Sequence, residues 1–348
     1  MIKNIFFSTL FLFILNTGLS QSDSTKPTSP FSFSGAVDAY FRSALNTPKE
    51  SNNNFTSFTN ANQKLQLGMV SAKVDYSKGK WYATVDLGFG KRAEEFSYND
   101  KAVLSNIKQA YIAYTISDRL KLSAGKWATH VGYELLDAPL NRNYSMSYGF
   151  SYGPFYHTGI KADFAINSKS GLMLGIANPT DHINAVSPYK VLIGQYSNKF
   201  FNDKTSLYLN YQGGKTGEAS SYTQWDLVFT NSLSDQVAIN YDGTVFMTKL
   251  AGKKSIWKSN AFYVNYDPSK KIGLTYRSEF FYDKNAISAG AFATNIFANT
   301  LSLNYKINKL TILPEFRIES AKDPIYVNKE GTPASKSASF ILAAIYKF

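Results

Sequence analysis

Only three histidines, His130, His157 and His182, and no cysteine occur in this sequence of 348 residues. Disulfides and thiolate metal sites are thereby excluded. His157 stands in the run PFYHTG, a few residues after Ser145, Ser147 and Ser151. A serine hydrolase would need such a hydroxyl, an imidazole and an acid. No nucleophile elbow or other hydrolase motif surrounds these residues, so a polar histidine of a wall or loop is the plainer reading. His130 and His157 lack the i, i+4 spacing of helical metal ligands. Glu134 and Asp137 suit a surface calcium no better than other loop acids do. The run GGKTG (213–217) lacks the GxxxxGK[ST] spacing and lies between strand patterns, where no helix N-terminus would receive a phosphate. No catalytic residue, cofactor or metal is expected.

The charged residues are more telling. Asp38, Arg42, Asp86, Lys161, Asp163, Arg277, Glu279, Glu315, Arg317 and Glu319 each alternate with apolar neighbours at a period of two. In a membrane-spanning sheet, a Lys or Arg on the lipid face costs about 2–4 kcal/mol at the midplane. Such charges belong on a wet inner face, here four bases and six acids, where opposite signs can pair. The plainest expectation is a solvated wall with cross-strand ion pairs.

Between two alternating runs lies a stretch of another kind, Trp127 to Phe155, with neither a two-residue nor a 3.6-residue apolar period. A connection of this length inside an ordered all-β chain is usually functional or disordered. Tyr133, Tyr144, Tyr148, Phe150, Tyr152 and Phe155 argue for order, since disordered segments are poor in aromatics. The expectation is a loop folded into something large. With Glu134, Asp137, Arg142, Tyr133, Tyr144 and Tyr148, it could hold polar solutes by hydrogen bonds and ring contacts. Its alternative is a cap over a rim.

The elements that would position these residues are strands of roughly 8 to 12 residues, close to the about 9–11 that cross a bilayer in a barrel. Sixteen are expected, beginning near Phe31, Gln63, Trp81, Ile107, Leu120, Tyr156, Leu172, Lys190, Ser206, Gln224, Gln236, Ile256, Ile272, Ile296, Leu310 and Lys336. Pro314 interrupts the fifteenth and is expected to mark a bulge. Tight turns such as SKGK (77–80) and NK (308–309) alternate with longer loops starting near Ser43, Gly90, Trp127, Asn178, Gly213, Lys249, Asp283 and Ala321. Short turns at one end and long loops at the other mark an outer-membrane barrel, and sixteen strands leave an aqueous channel. The chain closes on ASFILAAIYKF, with Phe340, Leu342, Ala344, Tyr346 and Phe348 on one face. A terminal Phe on such a strand is what the barrel assembly machinery reads.

Composition agrees. Aromatics make up 16% of the residues, yet mean hydropathy is only −0.23. One lipid-facing and one wet surface would account for both. The net charge is +12, with Lys and Arg scattered in no run longer than two, which speaks against nucleic acid. Residues 1–20 read as a signal peptide, with Lys3 before the apolar core IFFSTLFLFIL, too short to span a bilayer as a helix. Residues 21–30 read as a polar linker, and 31–348 as the barrel.

Several stretches resemble the β-barrel porin-2, or OmpL-like, family of outer-membrane proteins. They are SGAVDAYF (34–41), NQKLQLGMVSAKVDYSKGKWYATVDLGFG (62–90), IKQAYIAY (107–114) and AGKWATHVGYELLDAPLNRNYSMSYGFSYGPFYHTGIKADF (124–164). From Gly194 onward only strand rhythm and the terminal Phe348 agree. The resemblance implies an outer-membrane barrel with a pore function and delivers no solute.

Together these readings lead to an all-β, transmembrane antiparallel barrel in the outer membrane of a diderm bacterium, passing small hydrophilic solutes passively. The 127–155 loop is the expected constriction. Pore-lining candidates are Tyr133, Glu134, Asp137, Arg142, Tyr144, Tyr148, His157, Lys161, Asp163, Arg277, Glu279, Glu315 and Arg317. Expected partners are outer-membrane lipid and lipopolysaccharide, the assembly machinery at Phe348, and the solutes, with a homo-oligomer compatible with the fold. The rival readings are a barrel that binds surfaces through its loops, and a barrel lipid hydrolase using His157.

Overall fold

Strand after strand carries large apolar side chains on one face and small or polar ones on the other, and a sheet of that pattern can close around water. The computed structural model describes residues 29–287 and 294–348. The expected signal peptide (1–20) and most of the linker (21–30) lie outside the described residues.

In chain order the strands are β1 (Phe31–Ala44), β2 (Lys64–Lys78), β3 (Trp81–Phe89), β4 (Ile107–Ser117), β5 (Leu120–Ala128), β6 (Tyr156–Ala165), β7 (Ser170–Ala177) and β8 (Val191–Phe200). They continue with β9 (Thr205–Lys215), β10 (Ser220–Ser232), β11 (Val237–Leu250), β12 (Lys253–Tyr266), β13 (Ile272–Asp283), β14 (Thr294–Ile307) and β15 (Leu310–Ala321). Two short strands, β16 (Tyr326–Val327) and β17 (Pro333–Ala334), form a hairpin of their own before β18 (Lys336–Lys347). β1 to β15 pair in sequence, β15 pairs with β18, and β18 returns to β1. The barrel is closed, antiparallel and sixteen-stranded. Each of its strands begins within four residues of the expected position.

The seam is held at its last residue. Phe348 and Gly35 exchange backbone hydrogen bonds of 3.0 and 3.1 Å. A Cβ on Gly35 would lie 2.5 Å from the Phe348 ring and 2.6 Å from the Ser71 carbonyl oxygen. Outward faces carry the apolar residues, among them Val85, Ile112, Ile160, Leu174, Phe262 and Leu301. Near the end bearing both termini, Phe31 pairs with Tyr76 and Trp81 with Tyr114, at ring separations of 5.0 and 4.6 Å. No helix among the described residues is long and apolar enough to cross a membrane.

Two expectations need correction. The connections near Gly213 and Lys249 are tight rather than long, because β9 to β12 continue through them. Gly213 and Gly214 lie within β9, paired to Thr223 and Tyr222 of β10. They are where backbone and the Tyr211 hydroxyl approach too closely for a Cβ. The β11–β12 turn is Ala251–Gly252, both at positive φ (47° and 83°), as in two-residue hairpins whose twist matches that of the strands. The second concerns Pro314, which makes no bulge. Register with β14 is the same on either side, Ser302 to Glu315 and Tyr305 to Ile312, and only the rungs between are missing. Pairing with β18 runs through Pro314 to Leu342 unbroken. A missing N–H thus removes rungs on one side only.

The hydrophobic core sits inside the barrel and is made largely of loops. Phe58, Ala93, Phe96, Leu136, Met146, Phe150 and Phe155 pack with Met69 of β2 and Tyr156 of β6. A second cluster joins Tyr148 and Tyr326 to Trp257, Phe281 and Ile296 of the wall.

The chain from residue 21 onward should give a β-type circular dichroism spectrum and run faster on denaturing gels unheated than heated. Gly35→Leu should lower the temperature at which the fast band is lost, consistent with a cost of about 1–3 kcal/mol for overpacking the seam. An unchanged transition would show that the seam does not depend on this contact.

Candidate functional site

An irregular segment inside a barrel has no ladder for its backbone polar groups, and each one left unpaired and buried costs about 1–3 kcal/mol. The connection from β5 to β6, residues 129–155, solves this with side chains of the wall. Asp226 (β10) accepts from Gly132 N at 3.0 Å, and Asp242 (β11) from Tyr133 N at 2.9 Å. Glu315 (β15) accepts from Tyr144 N and Ser145 N at 2.7 and 3.0 Å, while Glu279 (β13) accepts from Tyr148 N at 2.7 Å. Arginines serve the carbonyls. Arg277 donates to Ser145 O at 2.8 Å and Arg317 to Met146 O at 3.2 Å. The loop therefore crosses the lumen and docks on β1 and β10–β15. Within it are a 3-10 turn (Ala138–Leu140) and the short helix α2 (Tyr148–Tyr152), capped by Ser147.

Most of the expected site residues belong to this docking. Arg277 is fully buried and pairs with Glu134 at 2.6 Å and Glu279 at 3.2 Å. Arg317 links Glu279 and Glu319 at 2.8 and 2.9 Å. Tyr133 packs on Tyr263, at 4.6 Å between ring centres. Tyr144 donates its hydroxyl to Asp38, and Tyr148 donates to Glu319 at 2.9 Å. Burial raises both phenols well above their ordinary pKa, so they act as donors. Arg142 reaches Asp267 in the β12–β13 turn, with contacts of 2.6 and 3.0 Å. These charges, expected as a solvated wall, lie under the loop.

Further loops lock the first. The helix α1 (Lys91–Phe96) places Arg92, fully buried, between the rings of Phe58 and Tyr144 at 5.0 and 4.8 Å. Arg92 also donates to Leu136 O at 3.2 Å. Asp181, in the β7–β8 connection, accepts from Phe155 N, Tyr156 N and the Tyr98 hydroxyl at 2.7, 3.0 and 3.1 Å. Burial pushes its carboxyl up to about 7 despite these three donors.

His157 shares its Nε2 with the Thr129 hydroxyl at 3.1 Å and lies 5.0 Å, ring to ring, from His130. Burial lowers His130 to about 4, so it is neutral near pH 7. The three serines are engaged elsewhere. Ser145 meets Arg277, Ser147 caps α2, and Ser151 accepts from Ser57 N. Among the described residues, no serine and acid join His157 in a triad.

The opposite half of the lumen is open. A cavity of about 720 Å³ runs along β2–β9 and reaches the end where Arg119, Lys169, Lys347 and Phe348 lie. Of the expected residues, Asp137, Lys161 and Asp163 line it. Others were missed. Lys73, Asp75 and Lys121 also line the cavity, and each follows the same period-two alternation as its strand, which could have revealed them. Lys108 could not have been found so. A register shift opposite Asp86 turns Lys108 and Gln109 to the same side, where they meet that carboxylate at 3.0 and 3.1 Å. Lys108 also bonds Asp137 at 2.6 Å, tying the loop to the open half.

Comparison with known proteins agrees with this architecture. Residues 30–348 match the family described as "Putative beta-barrel porin-2, OmpL-like", and the chain belongs to it. No curated protein sequence matches this one. Among solved structures, the chain is similar to the outer membrane channel DcaP of Acinetobacter baumannii, at 12% identity and a TM-score of 0.62, covering 91% of this chain and 97% of that one. It is similar to the trimer form of OmpT, an outer membrane protein of Vibrio cholerae, at 14% identity and 0.62, covering 91% and 99%. An anion-selective porin from Comamonas acidovorans aligns at 9% identity and 0.61, with coverage of 91% and 99%. At these identities the likeness shows the fold alone.

Glu315→Gln keeps one acceptor but turns an N–H₂ group toward the amide of either Tyr144 or Ser145. Hydrogen exchange across 129–155 should accelerate roughly tenfold, as expected for one buried amide losing its partner. The wall strands should keep their protection. Unchanged exchange in the loop would mean that Glu315 does not hold it.

Proposed function

We propose that the chain forms a water-filled outer-membrane channel for passive diffusion of small hydrophilic solutes, with loop 129–155 setting its narrowest section. One observation carries this reading: the loop fills one half of a sixteen-stranded lumen and leaves along the other a cavity whose lining includes Lys73, Asp75, Lys108, Lys161 and Asp163. A barrel of this size holds an aqueous interior unless something occupies it. The occupant here is tied down by a continuous network rather than lying loose, as a fixed size filter requires. The wall contacts the outer-membrane lipid and lipopolysaccharide, and Phe348 addresses the barrel assembly machinery. Self-association into a homo-oligomer fits the same reading, since a structural neighbour is described in a trimer form.

Replacing Leu135–Tyr148 by a short Gly-Ser bridge should leave the fast unheated gel band intact. It should raise single-channel conductance by roughly twofold or more, as an unobstructed lumen of sixteen strands implies, and admit larger sugars in liposome swelling. Shortening the β13–β14 connection, between Asp283 and Thr294, should change conductance far less. A folded deletion variant with unchanged conductance and size cutoff would remove the loop from this role. Absence of any conductance in the native chain would favour a barrel that acts by surface binding.

A further inference from the structure

The turns that join β9 to β10 and β11 to β12 are short, so no long connection of their own covers the strand ends there. Those ends carry one sign of charge. Lys249 and Lys254 lie directly opposite each other in the β11–β12 hairpin, and Ser221 links Lys249 to Lys215 of β9 in the same row. Further down β12, Lys258 keeps the face of Lys254, since both alternate with the buried Trp257 and look outward. Lys215, Lys249, Lys254 and Lys258 are all exposed. The acids between Gly213 and Asn260 are Glu218, Asp226, Asp235 and Asp242. Asp226 and Asp242 are buried in the lumen under the loop, and Asp235 stands in the β10–β11 turn at the other end. Glu218 alone of these shares the lysines' end, and among the described residues no ion pair joins it to any of them.

Like charges directly opposite on a sheet destabilise it, so Lys249 and Lys254 call for a counter-charge from outside the chain. Height on the barrel says where that charge comes from. The stretch of β12 from Tyr266 up to Lys258 rises roughly 21 Å along the barrel axis, at about 3.4 Å per residue and a tilt of about 40°. The apolar band of such barrels is about 25 Å tall. Lys258 thus stands near its upper margin, in one row with Val245 and the exposed Trp225. A lysine so placed lays its stem on apolar surface and carries its ammonium to the wet side. Lys215, Lys249 and Lys254 lie above it. At that height outside a barrel, the anionic groups of a membrane are the phosphates of its lipid headgroups, with acyl chains beneath.

We infer that Lys249, Lys254 and Lys258, flanked by Lys215, form a docking surface for the phosphorylated headgroup of an outer-leaflet lipid. The phosphate lies between the Lys249–Lys254 pair above and Lys258 below. Acyl chains run down the outward face past Val245 and the exposed Phe262. A soluble polyanion fits less well, because Lys258 is set within the apolar face rather than above it. The inference rests on the outer-membrane placement of the barrel and concerns its outside, so it does not depend on conduction.

The test uses the chain from residue 21 onward, folded in an uncharged detergent. The probes are lipid A with its phosphates, the same lipid stripped of them, and inorganic phosphate. The readout is the midpoint of thermal unfolding followed by circular dichroism, which a ligand of the folded barrel raises. Phosphorylated lipid A should raise the midpoint saturably, and the other two probes should not. In Lys249→Gln/Lys254→Gln/Lys258→Gln the half-saturating concentration should rise about tenfold, the equivalent of one charge-assisted contact. Lys204→Gln/Lys309→Gln, in turns at the opposite end, should stay within about twofold of the native value. If the triple variant does not fold, Lys258→Gln alone carries the comparison and must exceed that margin. An equal rise with the stripped lipid would mean acyl contact only, and one with inorganic phosphate a soluble-anion site. Either result, or a half-saturation unchanged in the variants, overturns the docking surface. Conductance in potassium chloride, measured without any probe, judges the channel reading separately.

Discussion

Backbone amides that leave the β-ladder inside a closed barrel must find acceptors, and the rest of this architecture follows from how they do so. Here the acceptors are carboxylates of the wall, and the matching donors are arginines beside them. Asp226, Asp242, Glu279 and Glu315 take amide protons, while Arg277 and Arg317 serve carbonyls. Bringing such charges out of water is costly unless geometry and hydrogen bonding are complete. Arg277 and Arg317 offset part of that cost by sharing Glu279 as a counter-charge, while Arg277 Nε, Glu279 Oε1 and Arg317 Nη2 stay without a well-oriented hydrogen bond. Wall and loop thereby replace each other's solvent.

The result is a lumen with two unlike halves. β10–β15, with β1, act as a docking floor, packed by aromatics and closed ion pairs. β2–β9 border the cavity and supply most of the lysines that line it. Neighbouring loops reinforce the division from above. Arg92 from α1 is held between Phe58 and Tyr144, and Asn53 exchanges bonds of 2.8 and 3.0 Å with Val327 of β16. The segment in the lumen is thus held from its sides and its top.

Much of this was legible in the sequence. Alternation exposed the wall charges correctly, since Asp86, Arg277, Glu315 and their like do face inward. Strand starts followed from the same period. The connection near Gly213 is short because its glycines permit close approach within β9, and the one near Lys249 because β11 and β12 pair as far as the two-residue turn Ala251–Gly252. What the charges touch was not legible, because a period of two tells the face and nothing of the object opposite. Glu134 meets Arg277 across 143 positions of sequence, a pairing that only closure of the barrel creates. Lys108 escaped for another reason: a bulge breaks the very periodicity on which the reading depends.

Docking partners so distant in sequence also impose an order on assembly. Residues 129–155 precede every strand from β10 onward, yet they bind to six of them. Loop closure across such distances is entropically slow, and nothing rewards it until those strands have paired. The aspartates and arginines of the wall must therefore stay hydrated through insertion and zipper shut last. Barrel closure and loop docking thereby become separate steps, the second waiting on the pairing of β10 to β15.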